Sequence, residues 1–458
     1  MNKSFQRAYF IGIGGIGMSA ICRYLLEQNI SVSGYDKTRT DLTLELESLG
    51  VIITYDDAVE ALPAQVKSDL NNTLFVYTPA IPKDHPQWIW LQEQGIALHK
   101  RSQILGLLTQ DKICLAVAGT HGKTTTSTLL AHLLKTCNVN FSAFLGGISS
   151  NYQSNYISHT SGIQIFDKDI VVVEADEFDR SFHQLRPDAA IITAIDADHL
   201  DIYGDSKSFF EAFEVFAELI SPERMGDLYL EERIQMNIPE HVKLHVYGNH
   251  GESPFHYKNV RIENHQYVFE LNGQHFICGL PGHHNVSNAT AAIALCLNSL
   301  KLSAKQIAEG VMSFKGVKRR FEFLKNSPEQ VIIDDYAHHP EEIKAIIRSV
   351  RTLYPERKIT GIFQPHLFSR TRDFAQEFAQ SLSEVDELIL MDIYPAREKP
   401  IEGITSEWLL SLIKNQNKSL MNQEQILEKI KLESPELVLI MGAGDIDRLS
   451  AKLKHHER

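Results

Sequence analysis

The chain has 458 residues, 43% of them hydrophobic and 22% charged, the profile of a globular protein of two or three domains. Its net charge of −13 argues against a general binder of nucleic acid or anionic membrane, while small anionic ligands need only local positive charge. No apolar run is long enough to cross a bilayer, MNKSFQRAYFIGIGGIG lacks a signal-cleavage pattern, and five scattered cysteines without a Cys-x-x-Cys pair suggest neither a disulfide frame nor a zinc site, so a reducing cytoplasm is expected.

In chain order, a strand is predicted over residues 8–13, then Gly12-x-Gly14-Gly15-x-Gly17, then a helix over 18–26. A second strand over 31–35 ends at Asp36. This is a βαβ pattern whose glycines let backbone approach a pyrophosphate at a helix N-terminus. It does not say which pyrophosphate, and a glycine turn serving packing alone has the same look. Thr78-Pro79 breaks a further strand, and Arg101 follows His99 and Lys100.

The second block opens with the apolar run 113–118 and Gly119-Thr120-His121-Gly122-Lys123-Thr124-Thr125-Thr126. A strand, a glycine turn, a lysine and a hydroxyl at a helix start make a nucleotide phosphate site. Lys123 can reach the terminal phosphates, and Thr124 can hold Mg²⁺. The general phosphate-loop pattern is incomplete, because Val117 stands where it has its first glycine. A buried parallel strand over 169–173 ends in Glu174-Ala175-Asp176-Glu177, which puts Glu174 where a Mg²⁺ ligand is useful. Another over 189–195 ends in Asp196-Ala197-Asp198-His199-Leu200-Asp201; a structural histidine or helix caps would read the same way. His284, Asn285 and Asn288 enter an Ala-rich helix, where they suit either a base grip or caps.

The third block follows Lys318-Arg319-Arg320-Phe321, a phosphate clamp or a solvated basic patch. A strand over 331–333 runs into Asp334-Asp335-Tyr336-Ala337-His338-His339-Pro340 and a helix with Ile343, Ile346, Ile347, Val350 and Leu353 on one face. Further strands are predicted over 359–363, 387–391 and 437–441, the last leading into Gly442-Ala443-Gly444-Asp445. Alternating strands and helices make the whole chain α/β.

Taken as a set, GIGGIGMSA, AGTHGKTTT, EADEFDRSF, DADHLDIYG, GHHNVSNA, DDYAHHPEEI, FQPHLFSRTRDF and GAGDI resemble the Mur ligases, which build the peptide of bacterial peptidoglycan. The resemblance spans essentially the whole chain. It implies a Rossmann-like UDP-sugar domain over 1–108, a central P-loop ATPase domain over 109–322 and a C-terminal Rossmann-like α/β domain over 323–458. It implies ATP and Mg²⁺ as cofactors, UDP-N-acetylmuramate and L-alanine as substrates, an acyl-phosphate route, and no partner among nucleic acids or membranes.

By the same resemblance, Gly12, Gly14, Gly15 and Gly17 hold the UDP diphosphate, and Asp36 is counted with them as UDP-sugar-binding. Gly119, Thr120, His121, Gly122, Lys123, Thr124 and Thr125 hold ATP phosphates. Thr124, Glu174 and His199 are metal-associated, and His284, Asn285 and Asn288 receive adenine. Arg320, Asp335 and His338 face the nucleotide and reaction centre, with His338 as a candidate base. Tyr336, Arg370 and Arg372 belong to the amino-acid region, with the choice between the two arginines open. Two departures stand out: the stretch 209–214 has no Lys where other Mur ligases carry a carbamylated one, and Leu367 and Phe368 replace basic and Tyr residues. The nearest alternative is a ligase adding a recycled murein tripeptide to the same sugar. An NAD-dependent oxidoreductase and a non-catalytic nucleotide sensor are the more distant ones.

Overall fold

The computed structural model describes residues 5–196, 203–396 and 398–455. Three large sheets organise the chain. The first has five parallel strands: β1 (Arg7–Ile11), β2 (Ser31–Tyr35), β3 (Ile52–Thr54), β4 (Thr73–Tyr77) and β5 (Leu98–Lys100), in the order β3-β2-β1-β4-β5. The order reverses beside β1, which opens a crevice at its carboxyl end. The strand ends at Ile11, two residues before the predicted limit, because Gly12 N–H and Ile13 N–H both turn to the Tyr35 carbonyl.

The second sheet contains β6 (Ile113–Ala118), β7 (Phe141–Ser149), β8 (Ser154–Ser158), β9 (Ile170–Glu174), β10 (Ala189–Ile192), β11 (Asp227–Glu231) and β12 (Lys243–Tyr247). Their order is β12-β11-β10-β6-β9-β7-β8, parallel except for the β7–β8 hairpin. Central β6 is fully buried, which its unbroken apolar run requires. β10 stops at Ile192, short of the predicted end. Thr193 there turns its hydroxyl back onto the carbonyls of Ala118 and His121.

Three short strands follow, β13 (Tyr257–Glu263), β14 (Gln266–Leu271) and β15 (Gln274–Cys278), paired in that order. The third large sheet comprises β16 (Glu322–Asn326), β17 (Val331–Asp335), β18 (Ile359–Phe363), β19 (Glu387–Leu390), β20 (Lys418–Leu420) and β21 (Leu437–Met441). Its order is β16-β17-β21-β18-β19-β20, with only β16 antiparallel.

The chain divides into two compact units: Met1–Val260 with Phe269–Ile277 and His284–Phe314, and Arg261–Val268 with Cys278–His283 and Lys315–Arg458. Within the first, one apolar core joins both sheets, from Phe10 and Met18 to Phe144, Val173 and Phe213. The helix Ile16–Glu27 packs on β7 and β8 through Tyr24 against Phe144 and Tyr156. Ser158 also donates to Glu27 at 2.6 Å. Among the described residues no helix is long and apolar enough to cross a membrane.

Candidate active site

The phosphate loop leaves β6 at Ala118 and enters the helix Lys123–Thr136. Its last residue, Gly122, has φ +82°, and a Cβ there would sit 2.5 Å from Asn288 Oδ1. Only glycine meets both demands. The loop is fixed from outside by Thr120 N–H to the Ala194 carbonyl (2.9 Å) and Asp196 N–H to Thr120 Oγ1 (3.1 Å). His121 Nε2 lies 3.5 Å from Asp196 Oδ2, both side chains exposed. Thr125 is buried in the first helical turn. The open amides and dipole of that turn form an anion site.

Lys123 Nζ donates to the Gly119 carbonyl at 2.6 Å and to Glu177 Oε1 at 2.8 Å. Thr124 Oγ1 donates to Glu174 Oε1 at 3.0 Å, and Gly146 N–H to Glu174 Oε2 at 3.0 Å. Burial pushes the Glu174 carboxyl upward, against the opposing pull of Lys123 and the Thr124 hydroxyl. A half-buried carboxylate beside a hydroxyl is hard-oxygen chemistry that a divalent cation satisfies. Among the described residues no three His, Cys, Asp or Glu side chains converge on a metal position, and Mg²⁺ commonly takes only one or two carboxylates besides waters and phosphates. His199, Asp198 and Asp201 lie outside the described residues.

The glycine turn of the first sheet is closed by its own acid. Gly14 N–H donates to Asp36 Oδ2 at 2.7 Å, and Thr38 N–H to Asp36 Oδ1 at 3.1 Å. At Gly17 a Cβ would fall 2.5 Å from Arg101 Nη1, so glycine admits the guanidinium to the turn. Arg101 in turn pairs with Asp176 at 2.9 Å. A cavity of about 320 Å³ is lined by Gly15, Gly17, Arg101, Gly146, Glu174 and Asp176, among others. The first glycine turn and the acid of the phosphate site therefore share one cavity wall. Glu177, Arg101 and Gly146 were not marked by the sequence as site residues. The signal for Glu177 was its place three residues after Glu174, at the end of a buried strand.

Asn285 and Asn288 are buried in the first turns of the helix His283–Asn298, with Asn288 Nδ2 3.4 Å from Asn285 Oδ1, while His284 is exposed. The departure at 209–214 is also explained. The helix Ser206–Glu218 buries Phe209 and Phe213, whose rings pack against each other, with Phe182 on Phe213, as core.

The second unit carries the remaining residues. Asp335 accepts from Phe321 N–H at 2.7 Å and Ala337 N–H at 2.8 Å, so it ties the Arg320 segment to the loop after β17. Arg319 joins the same segment to the last glycine turn, with Nη2 2.6 Å from the Gly442 carbonyl and Nε 3.3 Å from Asp334 Oδ2. His338 Nδ1 lies 3.0 Å from the Tyr336 carbonyl and 3.4 Å from Glu342 Oε2. Burial lowers its pKa, Glu342 opposes that, and Arg370 and Arg320 add to it. The two arginines differ. Arg372 Nε is paired with Asp373 at 2.7 Å on a half-exposed side chain. Arg370 Nη1 is buried with no hydrogen-bond partner among the described residues. Both sit on the short helix Phe368–Asp373, whose N-cap Leu367 has φ +73°, held by its N–H to the Tyr394 carbonyl at 2.9 Å.

Phosphate loop, glycine-turn cavity and a C-terminal α/β unit with basic and histidine side chains define an enzyme acting on phosphorylated substrates. Residues 7–113, 117–296 and 319–444 match, in turn, the Mur ligase family catalytic domain, the Mur ligase middle domain and the Mur ligase glutamate ligase domain. A UDP-N-acetylmuramate–L-alanine ligase from Christiangramia forsetii is 47% identical over 451 residues, covering 97% of this chain and 96% of its own. The crystal structure of the UDP-N-acetylmuramate–alanine ligase from Thermotoga maritima aligns at TM-score 0.80 and 28% identity, covering 98% of this chain and 99% of that one. A murein peptide ligase from Psychrobacter arcticus shares the fold at TM-score 0.66 and 21% identity, over 98% of both chains. The chain belongs to the Mur ligase family.

Proposed function

We propose that this chain joins L-alanine to the lactyl carboxylate of UDP-N-acetylmuramate with ATP and Mg²⁺, in the cytoplasm, as a step in peptidoglycan precursor synthesis. The observation that carries the reading is the cavity whose wall includes Gly15 and Gly17 at one part and Glu174 and Gly146 at another. A ligand with a diphosphate and a carboxylate fits such a wall: the diphosphate on the turn, the carboxylate toward the phosphate loop. The strong similarity to alanine-adding ligases along nearly the full length supports alanine over a tripeptide. The domain limits we propose are 1–108, 109–322 and 323–458.

In the first step a carboxylate oxygen attacks the γ-phosphorus of ATP, the bond to ADP breaks, and an acyl phosphate forms. The neutral amine of alanine then attacks the acyl carbon, phosphate leaves, and the amine proton passes to a base. Lys123 and the helix N-terminus counter the repulsion between carboxylate and triphosphate. Thr124 and Glu174 are the residues that would hold Mg²⁺, with His199 as the third candidate; when bound, the ion screens the triphosphate charge. His284, Asn285 and Asn288 are our adenine candidates. Arg320 and Asp335 belong to the phosphate side of the second unit. His338, neutral at pH 7 because burial lowers its pKa, is the candidate base. Arg370 is preferred over Arg372 for the alanine carboxylate, since its buried Nη1 lacks a partner among the described residues while Arg372 is engaged by Asp373.

The test is phosphate release with ATP, Mg²⁺ and UDP-N-acetylmuramate, comparing L-alanine with L-alanyl-γ-D-glutamyl-diaminopimelate. Alanine-dependent release is expected. Release driven by the tripeptide alone would move the chain to the recycling branch.

A further inference from the structure

Glu177 lies deep beside the phosphate loop at 2% exposure. One oxygen accepts from Lys123 Nζ, and the other has no partner among the described residues. A carboxylate buried this far is costly unless a cation stays with it. Its backbone carbonyl is held by two donors. The Glu177 carbonyl accepts from Tyr203 Oη at 2.5 Å and from Arg180 N–H at 3.0 Å. Asp176 just before it pairs with Arg101 at 2.9 Å, and Asp179 just after pairs with Lys100 at 2.9 Å. Asp179 and Arg180 both adopt left-handed backbone, at φ 51° and 52°. Non-glycine residues hold that conformation only when their surroundings impose it.

We infer that Glu177 is a positioning residue for the phosphate-loop lysine. An ammonium has three protons. Glu177 and the Gly119 carbonyl take two, aiming the third at a phosphate. Because the acid is anchored by a pinned segment, Lys123 needs no search when the phosphoryl group moves, and a donor aimed beforehand is the kind that accelerates the reaction.

This rests on Lys123 acting on phosphate, and a double-mutant cycle separates the two statements. Lys123→Ala, Glu177→Ala and the double variant are compared for kcat, for KM of alanine and ATP, and for thermal midpoint. Glu177→Ala is expected to lower kcat at least ~10-fold, a fraction of what a lost preorganised group costs, with KM for alanine unchanged. The double variant is expected to be no worse than Lys123→Ala, since residues acting as one unit are non-additive. Losses that multiply, or kcat within twofold of wild type, overturn the inference. Should Glu177→Ala fail to fold, Glu177→Gln decides: it keeps an acceptor but not the charge, so a loss of about 3- to 10-fold is expected from the weaker neutral bond, and full activity overturns the inference. An active Lys123→Ala would instead sink the phosphate-loop assignment itself.

Discussion

Within the protein, Lys123 is bonded to Glu177 and Gly119, and Glu174 to Thr124 and Gly146. The Arg370 region is organised in the opposite way: a guanidinium nitrogen is buried there without a partner among the described residues, on a six-residue helix entered through a left-handed leucine. The contrast follows from the ligands proposed for each. A triphosphate brings several charges and is met by backbone amides, a helix dipole and a lysine whose position is set by the protein. Alanine has a single methyl for apolar recognition, and one methylene is worth only about 1–3 kcal/mol. Its grip must come from charge-assisted bonds, for which a donor has to be kept open.

The largest expected effect lies on the closed side. Lys123→Ala should cut kcat by roughly 10²-fold or more while circular dichroism stays that of the folded protein; the thermal midpoint should fall, because the buried Glu177 carboxylate is left without its cation. Near-normal ATP-dependent ligation by the folded variant would remove the basis for the comparison.

The open side predicts an asymmetry between neighbours. Arg370→Lys should raise KM for alanine by about 10-fold, the scale of one lost charge-assisted hydrogen bond, and leave KM for ATP alone, because an ammonium lacks the planar fork. Arg372→Lys should change neither by more than about twofold, because its guanidinium is half-exposed and already paired with Asp373, and exposed pairs contribute little. Steady-state kinetics with alanine varied at saturating ATP read both. Equal effects at the two positions would erase the distinction.

The closed side was also the more legible. The strands over 113–118, 359–363 and 437–441 fall where their apolar runs put them, because a strand buried on both faces writes itself as continuous hydrophobic sequence; the strand over 31–35, Ser-Val-Ser-Gly-Tyr, was legible only from its place between the glycine turn and Asp36. The Gly-Lys-Thr turn is equally local, so the loop, the lysine and the hydroxyl were visible together. Glu177 was not, because its significance is a contact made across 54 positions. Arg101, tied to Asp176 from 75 positions away, is the same case. Alternating polar strands such as β8 and the antiparallel β16 left no apolar run to read. The Arg370–Arg372 choice depends on which side chain is buried and which is paired, and two arginines two residues apart carry no such information in their spacing.

The smallest expected effect concerns His338, the candidate base. Burial is the main cause of its lowered pKa; Arg370 and Arg320 lower it further, and Glu342 and the Tyr336 carbonyl oppose them. A base must be neutral to accept a proton, so kcat at saturating alanine should fall only as pH drops through this depressed value. At pH 6.5, the ordinary histidine value, more than about half of the plateau rate should therefore survive. Arg370→Lys preserves the positive charge and should leave the acid limb in place. Arg370→Gln removes it, makes the imidazolium less costly, and should move the limb upward in pH. His338→Asn should lose the limb altogether. An acid limb that persists in His338→Asn, or that fails to shift in Arg370→Gln, would assign the proton to another group and separate the open arginine from the base.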